Sequence, residues 1–129
     1  PASTPQGVLA NYRRIDIALD PFPCAGGTTT CESLWMGVPV ISLLGDRFGG
    51  RHSASHLSNA RLHGFITATP AQYLDLAQSL ASDLPALGNL RERLRRGMLA
   101  SPLCDGPRFA KNFAEILLRV SPCDRAWRM

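Results

Sequence analysis

Five consecutive residues, Gly26-Gly27-Thr28-Thr29-Thr30, have the composition of an anion-binding turn. Two glycines let a ligand approach the backbone closely, and three hydroxyls add side-chain donors beside it. Cys31 to Met36 continue the segment as a helix that Gly37 closes. The turn therefore coincides with a helix N-terminus, where unpaired N–H groups and the positive end of the dipole attract phosphate.

Two apolar segments must position this turn. Ile15-Asp-Ile-Ala-Leu19 reads as a short strand ending at Asp20, and Pro21 and Pro23 stiffen the loop that follows. Val38 to Leu44 is a continuous apolar run, the pattern of a strand covered on both faces. The cradle thus falls at the C-terminal edge of a sheet, where open α/β folds bind ligands.

Gly45 to Gly50 reads as a loop, His52 to Leu62 as a helix and Phe65-Ile-Thr67 as a third short strand. Thr69 and Pro70 have the chemistry of an N-cap and first position for a helix reaching Leu84. Its stripe is Tyr73, Leu74, Ala77, Leu80 and Ala81. Pro85 to Leu99 repeats the pattern with Leu87, Leu90, Leu94 and Met98 inward, and Ser101-Pro102 interrupts it. A last helix runs from about Pro107 to Val120, with Phe109, Phe113, Ile116, Leu117 and Val120 inward. At the other end, Gln6 to Arg14 reads as the end of a helix with Val8, Leu9 and Tyr12 on one face.

This alternation predicts an α/β fold with a parallel sheet. About three strands are recognisable, where roughly five or six are usual in a doubly wound domain. The expectation is therefore the C-terminal half of a Rossmann-like domain over residues 1–120, its earlier strands upstream of Pro1, and a loosely held tail over 121–129.

Fourteen basic residues against ten acidic ones leave a net charge of +4, and Lys111 is the only lysine. That excess suits an anionic small molecule or an acidic partner. No basic stripe with interleaved aromatics is present, so nucleic acid is not expected as a partner; Arg91-Glu-Arg-Leu-Arg-Arg96 reads as a solvated helix face. Cys24, Cys31, Cys104 and Cys123 form no C-x-x-C pair and read as reduced thiols of a cytoplasmic protein. No apolar run has the length of a membrane span. His52 and His56 have i, i+4 spacing, but no Glu follows His52 and no third ligand is evident, so no metal is expected. Arg51 opens a helix, where a cation opposes the dipole. The conflict points to an anion or a carboxylate partner, with a plain surface arginine as the alternative.

From Asp20 to Ser42 the chain resembles the C-terminal catalytic region of the O-linked N-acetylglucosamine transferases, the SPINDLY-like family with tetratricopeptide repeats. The matching residues are Asp20-Pro-Phe-Pro23, Gly26-Gly-Thr-Thr-Thr-Cys-Glu32 and Leu34-Trp-Met-Gly-Val-Pro-Val40. Weaker similarity continues through Gly45, Arg51, Ala54, Ser55 and Leu57 and returns at Ser101-Pro-Leu103. The resemblance implies an inverting, metal-independent glycosyltransferase of the GT-B fold that moves N-acetylglucosamine from its UDP donor to Ser or Thr of a protein acceptor.

By the same resemblance, Thr28 and Thr29 bind the diphosphate, Gly26 and Gly27 give it backbone access, and Glu32 binds the ribose hydroxyls. Glu32 lies about one helical turn past Thr28, on the same face. The pattern departs at Cys24-Ala25, where the family commonly has Tyr-Asn, and at Gly27, where some members carry His. The cationic residue and candidate bases of the family lie upstream of Pro1, as do the other GT-B lobe and the repeats. Another GT-B enzyme acting on a lipid, glycan or small molecule, and a non-catalytic pairing module, remain as alternatives.

Overall fold

In a computed structural model of the chain, which describes residues 4–120, the apolar run after Gly37 supplies the central strand of a three-stranded parallel sheet. Ala18–Leu19 (β1) pairs with Val40–Leu43 (β2) in the register Ala18 to Val40 and Leu19 to Ile41. On the other edge, Ile66–Thr67 (β3) pairs with β2 through Ser42 to Ile66 and Leu43 to Thr67. The strands are shorter than the apolar runs predict, because only the overlap between neighbours makes a ladder. Single bonds extend it: Ala18 N donates to Pro39 O at 2.9 Å and Leu44 N to Thr67 O at 2.8 Å. The predicted tail, 121–129, lies outside the described residues.

Six helices occur among the described residues, Pro5–Asn11 (α1), Thr28–Trp35 (α2), His52–Asn59 (α3), Pro70–Ser82 (α4), Leu84–Leu99 (α5) and Gly106–Val120 (α6), of which α2, α3 and α4 pack on the central strand. Gly37 ends α2 at φ +77°, and a Cβ there would stand 3.1 Å from the Arg91 carbonyl oxygen, so glycine is required twice over. α3 stops at Asn59 rather than Leu62, because Arg61 takes the left-handed conformation at φ 60°. Thr69 caps α4 as its sequence predicts, accepting from Gln72 N at 3.2 Å. α4 ends before Leu84 because Asp83 caps α5 instead, accepting from Ala86 N at 2.9 Å.

Leu34, Val40, Leu57, Leu94 and Met98 form the core, with Trp35, Leu90 and Leu103 packed against it. The inward face read for α5 is buried at Leu87, Leu94 and Met98 and half-buried at Leu90. On α4 only Tyr73 is buried; Leu74 and Ala81 are exposed. The larger correction concerns α6, where Phe109, Phe113, Ile116, Leu117 and Val120 are exposed rather than inward. Amphipathic spacing determines which residues share a face but not what covers that face. No described element covers it. Trp35 serves the fold, partly buried and with the Arg95 guanidinium 4.5 Å above its ring. No helix of the described residues is long and apolar enough to cross a membrane.

Two outcomes test this packing. Leu34 is fully buried, and Leu34→Ala should lower the unfolding free energy by about 2–5 kcal/mol in denaturant titration. Burial, and secondarily His52, hold His56 below the usual imidazole value of 6.5. Protonation therefore favours the unfolded chain, and stability present above that pH should fall as the pH drops through it. His56→Gln should flatten this dependence in denaturation midpoints compared at high and low pH.

Candidate functional site

The cradle forms where β1 ends and α2 begins. Thr4, Thr69 and Asp83 cap α1, α4 and α5 with side-chain oxygens, whereas Gly27 begins α2 with no such bond. The first inward backbone bond there is Thr30 N to Gly27 O at 3.1 Å. Among the described residues the N–H groups of Gly27, Thr28 and Thr29 find no partner, and they are the donors an anion would meet.

Asp20 builds the loop that presents them. It is 5% exposed; Oδ1 accepts from Gly26 N at 2.8 Å and Oδ2 from Ser42 Oγ at 2.7 Å. Its carbonyl accepts from Tyr73 Oη at 3.0 Å, tying the same residue to α4. Sequence reading placed Asp20 at a strand end and in the block that resembles the family, without assigning it a partner. The available signal was an ionisable residue closing an apolar strand six positions before a glycine.

The five residues predicted for the cradle divide. Thr28 and Thr29 are exposed at the mouth. Thr30 is 2% exposed, with its Oγ1 2.7 Å from Ser53 Oγ on α3. Its hydroxyl therefore faces the interior and not a ligand, correcting the expectation of three hydroxyls at the mouth. The reason is helical geometry, since about 200° of rotation separates Thr30 from Thr28. The glycines also differ. A Cβ on Gly26 would meet Thr29 Oγ1 at 2.7 Å, Thr30 Oγ1 at 2.8 Å and Asp20 Oδ1 at 3.1 Å, whereas one on Gly27 would meet nothing within 4 Å.

Glu32 lies one turn deeper on α2 and is half-buried. Its Oε2 accepts from Tyr12 Oη at 3.2 Å, and Oε1 has no partner among the described residues. Burial raises the Tyr12 phenol above its usual value, Glu32 adds to the shift and a bond involving Ser33 opposes it. Tyr12 read from sequence as one residue of an apolar helix face; nothing local marks it as the neighbour of Glu32.

The glycine loop after β2 lies against the cradle loop, with Ala25 N donating to Gly49 O at 2.9 Å. Arg51 follows it, exposed at the start of α3. Its side chain lines a separate hollow of about 320 Å³ with Leu44, Ala54 and Ile66, to which no cradle residue contributes. Arg51 has no ion-pair partner among the described residues. Among the described residues the one ion pair joins Arg91 to Asp16. No group of three metal-binding side chains occurs among them either, and His52 stacks edge-on to Phe48 at 4.5 Å. Cys24, Cys31 and Cys104 are free thiols.

This arrangement can hold an anion at the α2 terminus and vicinal hydroxyls at Glu32. The two glycines give an internal control. Gly26→Ala should destabilise the fold by about 1–3 kcal/mol, as overpacking does, while Gly27→Ala should leave the denaturation midpoint close to that of the parent.

The glycosyl transferase family 41 model matches residues 8–113. The probable UDP-N-acetylglucosamine–peptide N-acetylglucosaminyltransferase SPINDLY of Eustoma exaltatum subsp. russellianum is 48% identical over 101 residues, 78% of this chain and 11% of the relative. The corresponding SEC protein of Arabidopsis thaliana is 38% identical over 98 residues, 75% of this chain and 10% of the relative. A solved Thermobaculum terrenum O-GlcNAc transferase mutant superposes with a TM-score of 0.83 at 39% identity, covering 90% of this chain and 22% of that one. The chain therefore spans about a tenth of the length of the curated relatives it matches. With a family match over most of its length and this likeness of fold, the chain belongs to glycosyl transferase family 41 and is an α/β segment of the GT-B, O-GlcNAc-transferase type.

Proposed function

We propose that this chain forms the nucleotide-binding part of a protein O-glycosyltransferase that transfers N-acetylglucosamine, or a related sugar, from a UDP donor to Ser or Thr hydroxyls. The observation that carries the reading is the α2 terminus, with three N–H groups that have no partner among the described residues and the exposed Thr28 and Thr29 one turn above Glu32. On this reading the diphosphate lies against Gly27, Thr28 and Thr29, with the ribose hydroxyls donating to the Glu32 carboxylate. Tyr12, bonded to Oε2, orients that carboxylate and leaves Oε1 for the ligand.

The chemistry is leaving-group stabilisation. As the glycosidic bond breaks, charge grows on the β-phosphate, and preorganised N–H dipoles lower the barrier without transferring a proton. The reading assigns the catalytic base, the second lobe and the repeats to segments outside this chain. It needs no metal and carries a cytoplasmic setting with it. The exposed apolar face of α6 favours a second reading, a non-catalytic module that pairs with another chain.

Calorimetric titration with UDP separates the two. A Thr28→Ala, Thr29→Ala double variant should lose most of the binding, and Glu32→Gln should weaken it by roughly 10–150-fold, the value of a charge-assisted hydrogen bond. If the full-length gene product binds no UDP, the transferase reading falls and the pairing module stands.

A further inference from the structure

The buried side of the cradle contains a device that no motif shows. A trans peptide points its C=O and the following N–H in opposite directions. Across the Gly26–Gly27 peptide the carbonyl is turned inward, where Ser53 Oγ donates to Gly26 O at 2.9 Å. The N–H of Gly27 is thereby directed outward at the mouth of α2, where it has no partner among the described residues. Ser53 has one proton and spends it on Gly26 O, so in the 2.7 Å contact Thr30 is the donor and Ser53 the acceptor. Both hydroxyls are buried, Ser53 at 0% and Thr30 at 2% exposure.

A Gly-Gly peptide has no side chain of its own to restrict it, and something outside must hold its orientation. Asp20 holds the N–H of Gly26 at 2.8 Å, and Ser53 holds its carbonyl. Rotating the Gly26–Gly27 peptide would withdraw the Gly27 donor from the mouth. It would also take from the buried Ser53 hydroxyl the acceptor it now donates to, a cost that opposes the rotation.

We propose that Ser53, backed by Thr30, is a positioning residue that keeps the Gly27 N–H aimed at the diphosphate of the nucleotide sugar. The proposal rests on the donor-site reading above. Because Ser53 acts only through Gly27, its removal affects the diphosphate and not the nucleoside. Thr30 acts one step further back. Without it Ser53 still donates to Gly26 O.

The test uses the full-length gene product, with affinities for UDP and for uridine measured by calorimetry and thermal midpoints measured in parallel. Ser53→Ala should weaken UDP about tenfold and leave uridine unchanged. Thr30→Val should cost similar thermal stability but weaken UDP much less, and Thr30→Ser should match the parent. If Ser53→Ala does not fold, Ser53→Ala with Thr30→Val takes its place with the same expectation, since it leaves only the carbonyl unpaired. Equal loss of UDP and uridine affinity, or unchanged UDP affinity in a folded Ser53 variant, overturns the assignment while leaving the donor site intact. A parent protein that binds uridine but not UDP, or neither, overturns the donor-site reading and this assignment together.

Discussion

The carboxylate of Asp20 joins segments that are far apart in the chain. One oxygen accepts from the Gly26 N–H at the cradle and the other from Ser42 on the neighbouring strand, while the carbonyl of the same residue accepts from Tyr73 on α4. A buried carboxylate is costly unless hydrogen-bonded, and here both oxygens are satisfied. The position of the α2 terminus relative to the sheet follows from this arrangement. So does the need for glycine at position 26, because a Cβ there would press on Asp20 and on two threonine hydroxyls.

From that anchor the site divides into an outer and an inner shell. Outside stand the hydroxyls of Thr28 and Thr29 and the N–H groups of Gly27, Thr28 and Thr29, which have no hydrogen-bond partner among the described residues to compete with a ligand. Inside stand Thr30, Ser53 and Asp20, whose polar atoms are all committed; no buried side-chain polar atom of the described residues lacks a partner. The division has a physical logic. Donors left free at a helix end are useful to a ligand only if their direction is maintained before it arrives, and buried hydrogen bonds maintain direction better than solvated ones. Glu32 stands between the shells, with one oxygen engaged by Tyr12 and the other open.

The apolar face of α6 is exposed among the described residues. Five large apolar residues share one side of the helix, and Phe109 and Phe113 stack with centroids 5.8 Å apart. Burying such a face is worth about 25 cal/mol per Å² of apolar surface, so its exposure among the described residues is unfavourable. The three-stranded sheet is likewise short for a doubly wound domain, and the chain covers only about a tenth of its curated relatives.

Local chemistry made much of this legible in advance. The Gly-Gly-Thr turn, the helix after it, the Gly37 stop, the Thr69 cap and the central apolar strand each depend on residues within a few positions of one another, so spacing and composition determine them. The same holds for α/β alternation and for the one-turn separation of Thr28 and Glu32. What the tertiary structure decided are the questions of partner. Thr30 turns to Ser53, Tyr12 reaches Glu32, Asp20 takes Gly26 and Ser42, Arg51 lines a hollow with Leu44, Ala54 and Ile66, and the apolar face of α6 is exposed among the described residues. Each contact closes across many residues of intervening chain, and periodicity states which face a side chain occupies without stating what stands opposite it.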